Sequence, residues 1–310
     1  MTAKPHARPE NPAWLDISTE ARSDRTLDLD QLPTVKILEA LNDEDQRAPA
    51  AVRLTLPVMA QLVEAAEESI RGGGRVHYFG AGTSGRLGVL DAAELRPTFN
   101  LPEGVVVAHH AGGSRALTHA VENVEDSWDA GVAEARDTRP GDVVIGIAAS
   151  GRTPYVGGAL TAGREQGATT ALISCAKEPE LGHLADFLLV ADTGAEALAG
   201  STRLKAGTAQ KLMLNGFSTT LMIKLGKTWS NLMVSVVATN EKLRARTVRI
   251  LMEATGGAEA GCLSALEAAE GDLKVALAIM FTGAEPEVAR GAVQAAGGDL
   301  RRATESLRQN

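Results

Sequence analysis

The stretch that decides the fold is VHYFGAGTSGRLGVL, residues 76–90. A short apolar run is followed by a glycine-rich segment with the pattern G-x-G-x-x-G, from Gly80 to Gly85, and then by apolar residues at helical spacing. This order predicts a strand, a tight loop and a helix whose N-terminus can bind a phosphate group. The pattern alone fits a dinucleotide as well as a smaller phosphate, so the rest of the sequence must distinguish them.

The composition predicts an ordinary globular protein built on a parallel sheet. The chain has 310 residues, of which 44% are hydrophobic and only 3% aromatic, so Ala, Val, Leu and Ile must build the core. The net charge of -8, without a run of basic residues, predicts no nucleic-acid partner. Cys175 and Cys262 fit neither a metal spacing nor a disulfide framework, and the N-terminus does not resemble a signal peptide. We therefore expect a reducing compartment.

Five apolar runs alternate with helical patterns, which predicts an α/β fold with three layers, a parallel sheet between helices. The runs are RVHYF, GVVVAHH, GDVVIGIAA, TTALISCA and FLLVAD. Between the second and third runs, residues 114–136 have the pattern of one long amphipathic helix. We predict an N-terminal arm and helix over residues 1–48, a phosphate-binding domain over 49–249 and a helical domain over 250–310.

The C-terminal segment contains an internal repeat. ALEAAEGDLKVA begins at Ala265 and AVQAAGGDLRRA begins at Ala292, and each copy carries a Gly-Asp pair before a helical pattern. Aspartate at this place is a typical N-cap. The repeat predicts two or three short helices in a small bundle resembling the ubiquitin-associated type, with stabilisation or capping of a dimer as its simplest role.

The end of the second predicted strand argues against a nicotinamide cofactor. A dinucleotide site of this type needs an acidic residue there to hold the ribose hydroxyls. The strand GVVVAHH instead ends in His109 and His110. We therefore expect no NAD and no other cofactor.

A repeated tripeptide identifies the phosphate more closely. Ser84-Gly85-Arg86 recurs as Ser150-Gly151-Arg152, each time after a predicted strand and close to a helix start. Hydroxyl groups and unpaired N–H groups at a helix start can bind a small anion. The hydroxyls that the two segments supply are those of Thr83, Ser84, Ser150 and Thr153. The pattern favours a single phosphate monoester, and ordinary helix capping is the alternative.

Three glutamates are candidates for catalysis. Glu94 lies near the end of the helix that follows the first loop, and Glu122 and Glu125 share one face of the predicted long helix. His119 could join them in a metal site, but no further ligand is spaced to complete one, so we expect no metal ion. A solvated helix face is the alternative for these glutamates.

Several long segments, taken together, resemble the N-acetylmuramic acid 6-phosphate etherases, bacterial enzymes with a sugar-isomerase (SIS) domain. They are GAGTSGRLGVLDAAE, AVENVEDS, GIAASGRTPYV, GSTRLKAGTAQKLMLN and NLMVSVVATNEKL. The similarity runs from about Thr19 to the end of the chain. It implies cleavage of the D-lactyl ether of N-acetylmuramate 6-phosphate to N-acetylglucosamine 6-phosphate and D-lactate, by elimination and then hydration. It also implies a cytoplasmic homodimer without metal that recycles cell-wall amino sugars.

The resemblance also implies roles for individual residues. Glu94 would be the proton donor to the departing lactate, and Glu125 the second catalytic carboxylate, acting as base at C2. Phosphate binding would fall to Thr83, Ser84, Gly85, Ser150, Gly151 and Thr153. Ser201, Arg203 and Lys205 are candidates to contact the sugar or a partner subunit, with a structural role as the alternative for Lys205.

The distance between the predicted groups raises a difficulty. Ten residues separate Ser84 from Glu94, which is roughly 15 Å along a helix and more than one hexose phosphate spans. We therefore expect either that Glu94 serves the site of another subunit, or that its helix is irregular. Two functions remain as alternatives to the etherase: a non-catalytic sugar-phosphate sensor, as in the glucokinase regulatory protein, and an aldose–ketose isomerase of the same fold.

Overall fold

The computed structural model describes residues 18–119, 121, 123–235 and 241–309. The chain forms two compact units. The first comprises Met1–Leu90, described from Ser18 onwards, and Val106–Phe217, and the second comprises Asp91–Val105 and Ser218–Asn310. Residues 1–17 of the predicted N-terminal arm and helix lie outside the described residues. The domain boundaries predicted after residues 48 and 249 stay a prediction.

The first unit is built on a five-stranded parallel sheet. Its strands are β1 (Val76–Gly80), β2 (Val106–His110), β3 (Val143–Ile147), β4 (Thr169–Ser174) and β5 (Phe187–Val190), in the order β2-β1-β3-β4-β5. Every residue of β1 and β3 is buried, as expected for strands covered on both faces. The five predicted strands and their parallel arrangement are confirmed.

Helices flank the sheet, and along the chain they come before β1, between strands and after β5. They are α1 (Thr34–Asp45), α2 (Arg47–Arg53), α3 (Leu56–Arg71), α4 (Gly82–Phe99), α5 (Arg115–Thr118), α6 (Trp128–Glu134), α7 (Pro154–Glu165) and α8 (Lys205–Lys224). In one core cluster, Phe79 of β1 and Val144 of β3 pack with Tyr155 and Leu160 of α7. Because the apolar side chains of α7 cover the sheet, the loops before it are held on a rigid support.

The long helix predicted over residues 114–136 is wrong. The structure has the short helices α5 and α6, and the described residues between them form turns and bends. Asn123 has a φ of 62°, a left-handed conformation that interrupts a helix, and the Ser127 hydroxyl accepts a hydrogen bond from Ala130 N to start α6 afresh. Glu125 therefore lies in a turn, and Glu122, its predicted neighbour on a helix face, lies outside the described residues.

The second unit contains the hairpin of β6 (Thr228–Trp229) and β7 (Leu232–Met233), followed by helices. These are α9 (Glu241–Thr255), α10 (Glu259–Ala268), α11 (Leu273–Thr282), α12 (Pro286–Ala295) and α13 (Leu300–Gln309). The predicted helical C-terminal region is confirmed, with more short helices than expected. Asp272 accepts hydrogen bonds from the N–H groups of Lys274 and Val275. Asp299 accepts them from the N–H groups of Arg301 and Arg302. The aspartate of each repeated Gly-Asp pair is therefore an N-cap.

No helix among the described residues combines the length and the apolar character that crossing a membrane requires.

Candidate functional site

The strand order creates a crevice at the carboxyl ends of β1 and β3. These strands are neighbours, and the chain leaves them toward opposite sides of the sheet, so their loops part at this point. A cavity of about 340 Å³ lies there. Its lining comes from both loops and three further segments: Glu20, Ala81, Gly82, Thr83, Ser84, Glu125, Asp126, Ala149, Ser150, Arg152, Thr153, Pro154, Gly200 and Thr202.

The first loop turns directly into α4. Gly82 has a φ of 54°, the left-handed conformation that glycine adopts at little cost, and Thr83 and Ser84 stand in the first helical turn. Gly85 packs so closely that a Cβ would lie 2.5 Å from the Gly80 carbonyl oxygen and 2.6 Å from His110 Cδ2. The glycines thus hold the helix start against the end of β1. The first turn of α4 has backbone N–H groups without partners inside the helix, and Thr83 and Ser84 line the cavity beside them. Binding of a phosphate by this turn stays a prediction.

The second loop contains the same Ser-Gly-Arg tripeptide as the first loop but has a different geometry. Ser150 lies in a turn, and Gly151 has a φ of 67° and no room for a side chain, because a Cβ would lie 2.2 Å from Cβ of Pro179. Thr153 immediately precedes α7, yet its hydroxyl makes no capping hydrogen bond. The alternative that Thr153 is an ordinary side-chain cap therefore loses support, and its hydroxyl can serve a ligand.

The arginines of the two tripeptides brace the loops. The Arg86 guanidinium donates to the carbonyl oxygens of Ala116 (2.7 Å) and Leu117 (3.0 Å), and Arg152 Nε lies 3.4 Å from a Glu180 carboxylate oxygen. Arg152 also lines the cavity. The structure thus brings Thr83, Ser84, Ser150, Thr153 and Glu125 together around one space, with Gly85 and Gly151 shaping its two walls.

Two acidic residues in the cavity were missed by sequence reasoning. Glu20 and Asp126 line it together with Glu125, and all three are exposed. Glu20 reaches the segment around Gly200, where a Cβ would lie 3.2 Å from Glu20 Oε2. The sequence offered one indication that Glu20 is functional: it lies at the start of the segment that resembles the etherase family. Three carboxylates therefore share the cavity lining with one arginine.

Comparison with known proteins identifies the family. The chain is 54% identical over 264 residues to the N-acetylmuramic acid 6-phosphate etherase of Thermobifida fusca (strain YX), covering 85% of this chain and 87% of that protein. It is 48% identical to the protein of the same name from Brucella anthropi, with 92% and 94% covered. The chain belongs to the N-acetylmuramic acid 6-phosphate etherase family.

Two further similarities concern the fold. Residues 58–164 match the family described as glucokinase regulatory protein N-terminal SIS domain. A phosphoheptose isomerase from Francisella tularensis has a TM-score of 0.50 at 16% identity, with 62% of this chain and 100% of that chain covered. The expected SIS-type fold of this etherase-family member is therefore confirmed.

At the end of β2, where a dinucleotide site would have an acidic residue to hold the ribose, this family member has His109 and His110. His110, at the end of β2, lies with Nδ1 2.8 Å from the Ala111 carbonyl oxygen and Nε2 3.2 Å from the Gly82 carbonyl oxygen, so its ring supports the first loop. The His109 ring stacks on Phe79 with centroids 4.2 Å apart, and burial lowers the pKa of His109 to about 4. Both histidines are engaged by the protein.

Lys205 of the etherase-family segment GSTRLKAG has a structural role. Its ammonium is fully buried and donates to Glu44 Oε2 (2.6 Å) and to the Ala195 carbonyl oxygen (2.6 Å). Arg25 also pairs with Glu44, and its hydrogen bond is the main reason that the pKa of Glu44 falls to about 2. The buried Glu196 carboxylate caps α8, accepting from the N–H groups of Lys205 and Ala206. These contacts fix the start of α8 beside the cavity segment at Gly200.

Glu94 stands on the part of α4 that belongs to the second compact unit, where its side chain is exposed. The helix is uninterrupted from Gly82 to Phe99. The expectation of an irregular helix between Ser84 and Glu94 is therefore wrong. The catalytic role of Glu94, like that of Glu125, stays a prediction that rests on the family resemblance.

Proposed function

We propose that this chain cleaves the D-lactyl ether of N-acetylmuramate 6-phosphate with water, giving N-acetylglucosamine 6-phosphate and D-lactate. The observation that carries the proposal is one cavity in which two hydroxyl-bearing loops face Glu125, in a chain 54% identical to a protein named as this etherase. The phosphate would bind at the first turn of α4, near Thr83 and Ser84. The hydroxyls of Ser150 and Thr153 would complete its coordination from the opposite wall.

The reaction needs a base and an acid because an ether has a poor leaving group. In the open-chain sugar, the C1 aldehyde acidifies the proton on C2. We assign removal of that proton to Glu125, while the lactate oxygen leaves C3 with a proton from Glu94. Water then adds to C3 of the unsaturated aldehyde, and a proton returns to C2. One water is consumed, and the ether becomes two hydroxyl groups.

We also propose that the site is shared between two copies of the chain. Glu94 follows Ser84 by ten residues of unbroken helix, roughly 15 Å at the usual rise, so a hexose phosphate bound at Ser84 does not reach it. A homodimer in which Glu94 serves the partner's cavity removes this difficulty. The same proposal includes three further points: the chain is cytoplasmic, it needs no metal or cofactor, and it has no nucleic-acid partner.

The first experiment incubates the purified chain with N-acetylmuramate 6-phosphate and measures D-lactate. Release of D-lactate is expected, and water labelled with ¹⁸O should label C3 of the product sugar. A folded protein that releases no D-lactate would refute the proposal and favour a non-catalytic sensor. Interconversion of aldose and ketose phosphates would favour an isomerase. Glu94→Gln should lose at least about 100-fold in turnover, whereas Glu103→Gln, an exposed carboxylate outside the cavity, should keep it within about twofold.

A mixing experiment tests the shared site. Glu94→Gln and Glu125→Gln proteins should each be nearly inactive alone. They are dissociated, mixed in equal amounts and reassembled. If Glu94 acts in the partner's cavity, half of the dimers carry one intact site, and activity returns to about one quarter of the wild-type value. If both carboxylates act within one chain, no mixed dimer has an intact site and activity stays at the level of the variants.

A further inference from the structure

The hydroxyl of Ser84 is engaged by a buried side chain on α8. Ser84 Oγ donates a hydrogen bond of 2.9 Å to Gln210 Oε1, and both residues are buried, Gln210 completely. The other end of the same amide, Gln210 Nε2, is buried without a hydrogen-bond partner among the described residues. A buried N–H donor without an acceptor carries its full desolvation penalty, which an apolar residue at this place would not incur.

The face of α8 that carries Gln210 lies against the first turn of α4. A Cβ on Gly207, one turn earlier on α8, would lie 3.5 Å from Thr83 Cγ2, which is van der Waals contact. Residues three apart share a helix face, so Gly207 faces Thr83 while Gln210 meets Ser84. The start of α8 is in turn fixed by the Glu196 cap and the Lys205–Glu44 pair. The Gln210 amide is thus held at a defined place behind the phosphate loop.

A serine hydroxyl has one proton, so it cannot donate to Gln210 and to a phosphate oxygen at once. In the present arrangement, the proton of Ser84 points to the Gln210 carbonyl oxygen. Rotation of the amide by half a turn exchanges Oε1 and Nε2. Nε2 then donates to Ser84 Oγ and gains an acceptor, Oε1 gives up the serine proton, and that proton is released toward the cavity.

We propose that Gln210 is a positioning residue for phosphate binding, whose amide orientation determines whether Ser84 donates to the protein or to the substrate. The proposal rests on the proposed function, because it takes the phosphate of the sugar to bind at Ser84. Gln210 touches no substrate in this scheme. It acts through Ser84, donating to the serine oxygen while the serine proton is given to the phosphate, and the resulting chain of two hydrogen bonds to an anion strengthens both.

Two substitutions separate donation from acceptance. In its ionised form, the carboxylate of Gln210→Glu can only accept, so it keeps the Ser84 proton and adds negative charge behind the phosphate. We expect it to raise KM for N-acetylmuramate 6-phosphate, and the dissociation constant of N-acetylglucosamine 6-phosphate, by about 10- to 100-fold. Gln210→Met leaves the hydroxyl free but undirected, and we expect an increase of about 3- to 10-fold. Turnover at saturation should stay within about threefold of wild type for both, because the chemistry at C2 and C3 lies elsewhere.

The control distinguishes positioning from packing. Met213 is fully buried on α8 and has no polar role, so Met213→Ala should lower the unfolding temperature without changing KM by more than about twofold. The second control is a double-mutant cycle with Ser84→Ala. Once the serine hydroxyl is gone, Gln210→Met should add less than about twofold to the dissociation constant of N-acetylglucosamine 6-phosphate, measured by calorimetry.

Each outcome decides the proposal. Equal effects of Gln210→Met in the presence and absence of the Ser84 hydroxyl would overturn it, as would variants that change stability alone. If the wild-type chain bound N-acetylglucosamine 6-phosphate but released no D-lactate, the proposed function would fail while the binding cycle still tested Gln210. A wild-type chain that bound neither sugar phosphate would refute both.

Discussion

The buried Glu44–Lys205 pair gives the sharpest prediction about stability. Glu44 is 5% exposed and holds two cations, Arg25 and the fully buried Lys205. Glu44→Gln keeps the shape of the side chain but removes its charge. The Lys205 ammonium then stays buried without the carboxylate to which it donates. We expect a marked loss of stability, because breaking a buried pair by removing one partner leaves an uncompensated charge.

The size of the loss follows from the pKa of Glu44. Its two cations lower this pKa from 4.5 to about 2. At about 1.4 kcal/mol per pKa unit, the ionised carboxylate contributes about 3 kcal/mol to the free energy of unfolding. Because the pKa is lower in the folded chain, this contribution is complete above about pH 4.5 and is lost as the pH falls through about 2.

Urea unfolding of wild type and Glu44→Gln across this pH range measures the effect. The difference in unfolding free energy should be about 3 kcal/mol at neutral pH and should shrink toward zero near pH 2. Glu39→Gln is the matched control on the same helix, because the exposed Glu39–Lys36 pair should contribute less than about 1 kcal/mol. A loss below about 1 kcal/mol for Glu44→Gln at neutral pH, or a pH dependence equal to that of wild type, would refute the reasoning.

Three further sites give predictions, and those for two glycines contrast. Gly85→Ala places a Cβ 2.5 Å from the Gly80 carbonyl oxygen, so we expect the start of α4 to shift, stability to fall by about 1–3 kcal/mol and KM to rise, as checked by urea unfolding and D-lactate release. Gly261→Ala, in α10 with open space around it, should instead raise stability by about 0.5–1 kcal/mol, and a loss there would contradict the argument from space. Asp272→Ala removes the N-cap of α11 and should cost about 1 kcal/mol in the same measurement, whereas no loss would show that the cap is dispensable.

The sequence predicted the elements whose signals are local. Each strand of the sheet is a short apolar run, and each predicted N-cap of the C-terminal repeat is an aspartate that caps a helix in the structure. The glycines of the first loop could be predicted from the sequence pattern, because few other residues fit there. Gly80 and Gly85 pack closely together, and Gly82 has a left-handed φ. Such features depend on a few neighbouring residues, which the sequence displays directly.

The parts that failed depend on contacts distant in sequence. Residues 114–136 have a helical apolar period, but the backbone turns at Asn123 and forms a hydrogen bond from Tyr155 N to the Glu125 carbonyl oxygen, which a continuous helix could not make. Glu20 enters the cavity although 61 residues separate it from Ala81 in the sequence. Gln210 is 126 residues from Ser84. Local sequence patterns do not predict contacts between residues so far apart. The acidic lining of the cavity and the Gln210 amide behind Ser84 could therefore be identified only from the structure.

The lining of the cavity by Glu20, Glu125 and Asp126 has a consequence for how a substrate arrives. The proposed substrate carries a phosphate and a carboxylate, and it approaches a chain of net charge -8 at a cavity with this acidic lining. Long-range repulsion then slows encounter, and dissolved ions weaken that repulsion once the Debye length falls to about 10 Å. Raising the salt concentration from very low to about 0.1 M should therefore speed capture of the sugar phosphate, the opposite of the response of a site that attracts anions from a distance.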